Sequence, residues 1–224
     1  MFSSDHDFLD RLNQYLHPNI DGLKELGDLV LNPDVRKLYP EFRDAAVLIS
    51  IIERPQGLTT LLNTRPQHLK SHAGQISFPG GKVETADRDF AHTAAREAFE
   101  ELGIPENSVE FCGYLDVYVT GSGFRVVPVV AKVAPPEEYI LDPGEVEAVF
   151  EVPISYLMNP DNHAHGFIPY KGKPRFYYEI PYFDGNTDWD IWGVTAGIIR
   201  QQYETLYPEF PAEMPQLATN NKRA

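Results

Sequence analysis

Apolar positions along this chain follow two rhythms, and the places where one gives way to the other mark out its elements. Over residues 5–16 (DHDFLDRLNQYL), Phe8, Leu9, Leu12 and Leu16 recur at helical spacing and predict a short amphipathic helix. Residues 23–31 read as a second helix. From there to residue 42 the chain turns polar and is punctuated by proline, which suits a connection. Residues 45–52 are apolar except for Ser50, and residues 58–64 follow across Pro55-Gln56-Gly57, so 45–53 and 58–64 read as two strands joined by a turn. Residues 75–78 lead into a glycine turn at Gly80-Gly81. Residues 109–119 and 124–133 read as paired strands around Thr120-Gly121-Ser122-Gly123, residues 176–183 as an aromatic strand, and residues 194–203 as a closing helix.

The most telling stretch, residues 78–104 (FPGGKVETADRDFAHTAAREAFEELGI), sets that glycine turn ahead of a helix. Ala91, Ala95, Ala98 and Leu102 recur on one face and are small enough to pack closely on a sheet. Glu97, Glu100 and Glu101 fall in one narrow stripe, with Glu97 and Glu101 a like-charge i,i+4 pair that is mildly destabilising by itself. An acidic stripe is usually just a solvated face. Here it comes with Gly80-Gly81 after Pro79, with Arg96 directly before the first glutamate, and with Gly103 at the C′ position of the helix. In a chain whose net charge is already −14, such crowding makes sense if a hard divalent cation takes carboxylate oxygens there.

These residues resemble the Nudix box, GX5EX7REUXEEXGU with U aliphatic: REAFEELGI, residues 96–104, fits its second half. The isolated acid of the box falls on Asp87 in place of glutamate, and Arg96 comes one residue later than the general pattern. Upstream, LLNTRPQHLKSHAGQISFPGG, residues 61–81, is similar to LLTXRSX3RX3GX3FPGG, the added motif of the coenzyme A pyrophosphatase branch, in which the one-residue insertion also occurs. Arg65, Gly74, Phe78, Pro79, Gly80 and Gly81 match it, while Asn63, Pro66 and Lys70 stand where Thr, Ser and Arg are usual. GEVEAVFEVPISYL and IWGVTAGIIR are also similar to this branch, so the resemblance spans residues 45–200.

The resemblance implies an α/β (α+β) fold, a Nudix-type α/β/α sandwich around a mixed sheet. It implies Mg2+ or Mn2+ held by Glu97, Glu101 and Glu100, and hydrolysis of coenzyme A or its derivatives to 3′,5′-ADP and 4′-phosphopantetheine. Gly80 and Gly81 would bring backbone close to the metal, Arg96 would hold the glutamates by a bidentate pair, and the general base falls to Glu145 or Glu100. Arg65 and Lys70 are the expected cations for substrate phosphate, with His68 and His72 in surface or structural roles. Two other readings stay open: the same chemistry on another nucleoside diphosphate derivative such as ADP-ribose or NADH, and a non-catalytic ligand-binding module.

Composition narrows the picture further. A 224-residue chain with 42% hydrophobic residues can bury one good core, and we divide it into an N-terminal helical segment at 1–42, a main domain at 43–207 and a tail at 208–224. The apolar runs are too short for a membrane span, and the N-terminus lacks the basic region of a secretory signal. Only 19 Lys and Arg against 33 Asp and Glu argue against nucleic acid as a partner. A lone cysteine, Cys112, reads as a small hydrophobe in a strand and fits a reducing cytoplasm. Lys171, Lys173 and Arg175 beside Tyr170, Tyr177 and Tyr178 read as a solvated basic turn next to core aromatics, the alternative being a platform for a base. Trp189 and Trp192 read as packing residues near the last helix.

Overall fold

The computed structural model describes residues 2–68 and 73–211. In chain order the elements are α1 (Asp5–Tyr15), β1 (Glu25–Gly27), α2 (Asp28–Leu31), β2 (Arg43–Arg54), β3 (Gly57–Thr64), β4 (Ile76–Ser77), β5 (Gly80–Lys82) and α3 (Phe90–Leu102). There follow β6 (Val109–Tyr114), β7 (Val117–Val119), β8 (Phe124–Val133), β9 (Ala148–Pro153), α4 (Ile154–Leu157), β10 (Ala164–Tyr170), β11 (Lys173–Phe183), β12 (Asp188–Trp192) and α5 (Val194–Leu206).

The spine of the molecule is the pair β2 and β8, parallel from Arg43 opposite Phe124 to Ile51 opposite Lys132. Both strands are buried on both faces, which is why their sequences are nearly continuous in apolar residues. Side chains still alternate. Ala45, Ile49 and Ile51 join one cluster with Phe8 and Leu12 of α1 and Ile198, Ile199 and Tyr203 of α5. Ala46, Leu48 and Ile52 join a second with Ala94, Ala98 and Leu102 of α3. Helices thus cover both faces of a mixed sheet, the expected α/β/α sandwich.

The other edge of β2 is shared. Its first half pairs antiparallel with β5, Ala46 opposite Gly81 and Val47 opposite Gly80, and its last residues pair with β3, Ile52 opposite Thr59. Between these pairings β2 forks, and β3 goes on to pair with β4 and β9. A separate three-stranded antiparallel sheet, β10–β11–β12, lies toward the C-terminus.

Several expectations need correction. Residues 23–31 are not one helix: β1 runs parallel to β7 and only the single turn of α2 follows, because Gly27 takes φ +77° between them. Gly80-Gly81 is strand rather than turn. Residues 109–119 divide into β6 and β7, both antiparallel to β8, with an irregularity at Cys112 that leaves the thiol half-buried. The buried face of α3 centres on Ala94, Ala98 and Leu102, while Ala91 is only half-buried. β10 and β12 flank the aromatic strand in register but alternate too weakly in sequence to be read as strands.

Candidate active site

Helix α3 is fixed at both ends by its own sequence. The Asp89 side chain accepts from His92 N at 2.7 Å as N-cap, and Gly103 closes the helix at φ +69°. Between them the alanines bring α3 down onto β2 and β5, and this close approach presses one glutamate of the stripe into the protein.

That residue is Glu101, 3% exposed. Its Oε2 accepts from the Asn63 side-chain amide at 2.9 Å and from the Gly80 backbone N–H at 3.3 Å, so the carboxylate sits across the fork between β3 and β5. Burial, reinforced by the charges of Glu97 and Glu145, pushes its pKa up to about 8. Glu97, half-buried one helical turn earlier, is also raised by burial, with Glu100 and Glu145 adding to the shift and Arg96 opposing it. Gly81 lies directly against it. A Cβ built on Gly81 would collide with the Glu97 carboxylate, so any larger residue there displaces that side chain.

Arg96 and Asp87 form the clamp behind the ridge. The guanidinium meets Asp87 bidentately, Nε to Oδ1 at 2.9 Å and Nη2 to Oδ2 at 3.1 Å. Its Nη1 donates to Glu97 Oε1 at 3.0 Å and Glu100 Oε2 at 2.8 Å, and Nη2 also reaches the Lys82 carbonyl. Asp87 further accepts from Thr93 Oγ1 at 2.9 Å and Glu84 N at 2.8 Å and lies 3.1 Å from His92 Nδ1. Bonding to Arg96, before all else, holds the Asp87 carboxyl far below the usual range. The shorter acid in the box's isolated position is therefore fully employed, and the bidentate partner of Arg96 is Asp87 rather than a glutamate of the ridge.

The stripe is graded rather than uniform. Glu101 is buried, Glu97 intermediate, and the Glu100 side chain is 53% exposed and turned to Arg96. Glu145 is exposed on a loop held to the end of α3 by Asp142 N to Glu101 O at 3.0 Å and Ile140 N to Leu102 O at 3.0 Å. Arg65 closes the loop between β3 and β4 through its backbone, to Gln75 O and from Gly74 N, both at 3.0 Å. His68 is exposed; Lys70 and His72 lie outside the described residues. The basic turn stands apart, with Arg175 paired to Asp34 at 3.1 Å and lying over the Tyr170 ring. Trp189 packs as expected, stacked on Phe150 with ring centroids 3.9 Å apart. Sequence reasoning missed Asn63 and Ser77, whose hydroxyl donates to Asn63 Oδ1 at 2.6 Å; the one signal was that Asn63 departs from the motif's threonine.

Among the described residues no three acidic, histidine or cysteine side chains converge as a ready-made cation cage. The donors still fit a hard cation that takes only one or two carboxylates and fills its shell from water and phosphate. Glu97 and Glu101 are like-charged and desolvated, the Glu97 charge raises the Glu101 pKa, and the side-chain-free backbone of Gly81 lets the Glu97 carboxylate lie directly against β5.

The model of the NUDIX domain matches residues 42–170. The chain belongs to the Nudix family. It is a Nudix hydrolase, and enzymes of this family generally use divalent metal ions. It is 38% identical over 173 residues to the uncharacterized Nudix hydrolase NudL of Escherichia fergusonii, covering 77% of this chain and 87% of that protein. It is 35% identical over 189 residues to Nudix hydrolase 15, mitochondrial, of Arabidopsis thaliana, covering 83% of this chain and 66% of that one. Among solved structures, a NUDIX hydrolase from Nitrosomonas europaea superimposes with a TM-score of 0.45 at 16% identity, over 80% of this chain and 78% of that one. No described helix is long and apolar enough to cross a membrane.

Proposed function

We propose that this Nudix hydrolase cleaves the diphosphate linkage of coenzyme A or its derivatives, with Mg2+ or Mn2+, to 3′,5′-ADP and 4′-phosphopantetheine, and that it works in the cytoplasm. The observation that carries the cation-dependent chemistry is the burial of Glu101 beside Glu97: both carboxylates are raised by desolvation, the Glu97 charge raises Glu101 further, and a cation removes that cost. The choice of coenzyme A rests on the motif at residues 61–81.

In this reading Glu97 and Glu101 hold the ion and Gly80-Gly81 lets the backbone approach it. When bound, the ion neutralises diphosphate oxygens and makes a water more acidic. Arg96, locked by Asp87, keeps Glu97 and Glu100 in place and touches no substrate. Glu145 accepts the proton of the attacking water. It is favoured over Glu100 because the Glu100 carboxylate is already engaged by Arg96. Arg65 and Lys70 meet the substrate's phosphates.

One observation favours a second substrate. A cavity of about 420 Å3 beside Thr64 is lined by Glu147, Asp188, Asp190, Trp189 and Trp192. It offers carboxylates and indoles, which suit a base better than a 3′-phosphate, and so favours ADP-ribose or a dinucleotide. Incubating the protein with coenzyme A, ADP-ribose and NADH, each with and without Mg2+ or Mn2+, decides the matter by product analysis. Coenzyme A should be cut well ahead of the others. The reverse order transfers the assignment to the second substrate, and silence with all three leaves a binding module.

A further inference from the structure

We propose that Asn63 is a positioning residue that selects which oxygen of Glu101 faces the cation. This rests on the reading of Glu101 as a ligand and adds a residue outside the box to that site. Asn63 lies on β3, 38 residues from Glu101 in sequence, and is 1% exposed. An ionised carboxylate, the form that binds a cation, only accepts; the amide presents Nδ2 to Glu101, and its Oδ1 meets the Ser77 hydroxyl. The chain of bonds runs in one direction, Ser77 Oγ to Asn63 Oδ1 and Asn63 Nδ2 to Glu101 Oε2, at 2.6 and 2.9 Å.

The Gly80 N–H lands on that same Oε2 at 3.3 Å. Two donors from different strands therefore grip one oxygen, and Oε1 is the one left to a cation. A glutamate side chain has three torsions to settle, and a ligand free to rotate must be ordered each time an ion binds. Here the ordering is done in advance, by a buried amide that is itself held by the Ser77 hydroxyl. Outer partners of this kind govern how well a ligand binds its metal without touching it.

The test compares Asn63→Leu, which keeps the volume and removes the donor, with Asn63→Thr, which restores a single hydroxyl, and with Ser77→Ala, which frees the amide to turn. Each is measured for Mn2+ affinity without substrate, for thermal stability, and for kcat and KM at saturating Mn2+. Asn63→Leu should weaken Mn2+ binding by about 10–100-fold, lower kcat and leave KM nearly unchanged. Asn63→Thr should recover part of the loss, and Ser77→Ala should show a smaller loss in the same direction. If Asn63→Leu fails to fold, Ser77→Ala carries the test alone. Wild-type Mn2+ affinity and kcat in Asn63→Leu or, failing that, in Ser77→Ala, with only the melting temperature lowered, would overturn the proposal. Glu101→Gln separates the two levels of inference. Undiminished Mn2+ binding in that variant removes the ligand role of Glu101 and this inference with it. Lost binding there alongside normal binding in Asn63→Leu removes the role of Asn63 alone.

Discussion

His163 shows how far burial can move a single group in this protein. It is buried, its Nε2 lies 2.7 Å from the Leu157 carbonyl, and it stands edge-on to Tyr203. Burial, joined by the Arg200 charge and opposed by the Leu157 bond, lowers its pKa to about 4. The unfolded chain takes up a proton near pH 6.5, and the folded one refuses it until about 4. This contribution to stability is therefore full above pH 6.5 and declines as pH falls toward 4, by up to about 1.4 kcal/mol per unit. Urea unfolding between pH 7.5 and 4 should show a flatter profile for His163→Gln than for the wild type. At the candidate site, Glu101→Gln removes one of the two carboxylates proposed to hold the cation and should lower turnover by orders of magnitude with the fold retained, as read from steady-state rates and circular dichroism; near-normal activity would take the residue out of the site. Glu97, Glu101 and Arg96 were legible in the sequence because one helix spaces them. Asn63 and Ser77 were not, since their approach to Glu101 depends on where β3 and β4 lie. Asp87 was visible as a departure from a pattern, but its bidentate lock on Arg96 was not.

At the scale of elements, α3 and β5 together position the residues of the candidate site. Gly81 has no room for a methyl group because the Glu97 carboxylate fills the place a Cβ would take. Gly81→Ala should push Glu97 away by about an ångström and cost roughly a hundredfold in kcat/KM, while changing the melting temperature little; a kinetic comparison of the two proteins checks this. The sequence announced the long, strongly patterned elements: α1, α3, α5, β2, β3 and β8 all begin and end within a few residues of expectation. It suggested helix at β1 and a turn at β5, and it did not announce β4, β9, β10 and β12 as strands. Several of these are only two or three residues long, and all take their strand character from the neighbours they pair with rather than from their own alternation.

For the molecule as a whole, two apolar clusters on opposite faces of one sheet explain why the N-terminal residues belong to the folded unit. Phe8 and Leu12 of α1 lie in the same cluster as Ile198 and Tyr203 of α5, and Arg11 of α1 reaches the Leu206 carbonyl at 2.8 Å. We propose, in keeping with these contacts, that residues 1–42 form a segment packed on a domain at 43–207. Phe8→Ala should cost about 3–5 kcal/mol, measured by chemical denaturation, although the residue touches nothing at the ridge. The sandwich itself could be anticipated from strands alternating with helices. The order of the strands could not, because pairing across the sheet leaves little trace in local patterning. The forked edge of β2 is the part of that order with most bearing on catalysis. Glu101 acts as a stitch across the opening, bonded to Asn63 of β3 and to the Gly80 N–H of β5, so if it holds the ion as proposed, a force that parts β3 from β5 would loosen that seat and an ion settling there would tighten the seam. On that reading, occupancy of the site and closure of the sheet would be a single equilibrium, shared by the chemistry and the architecture.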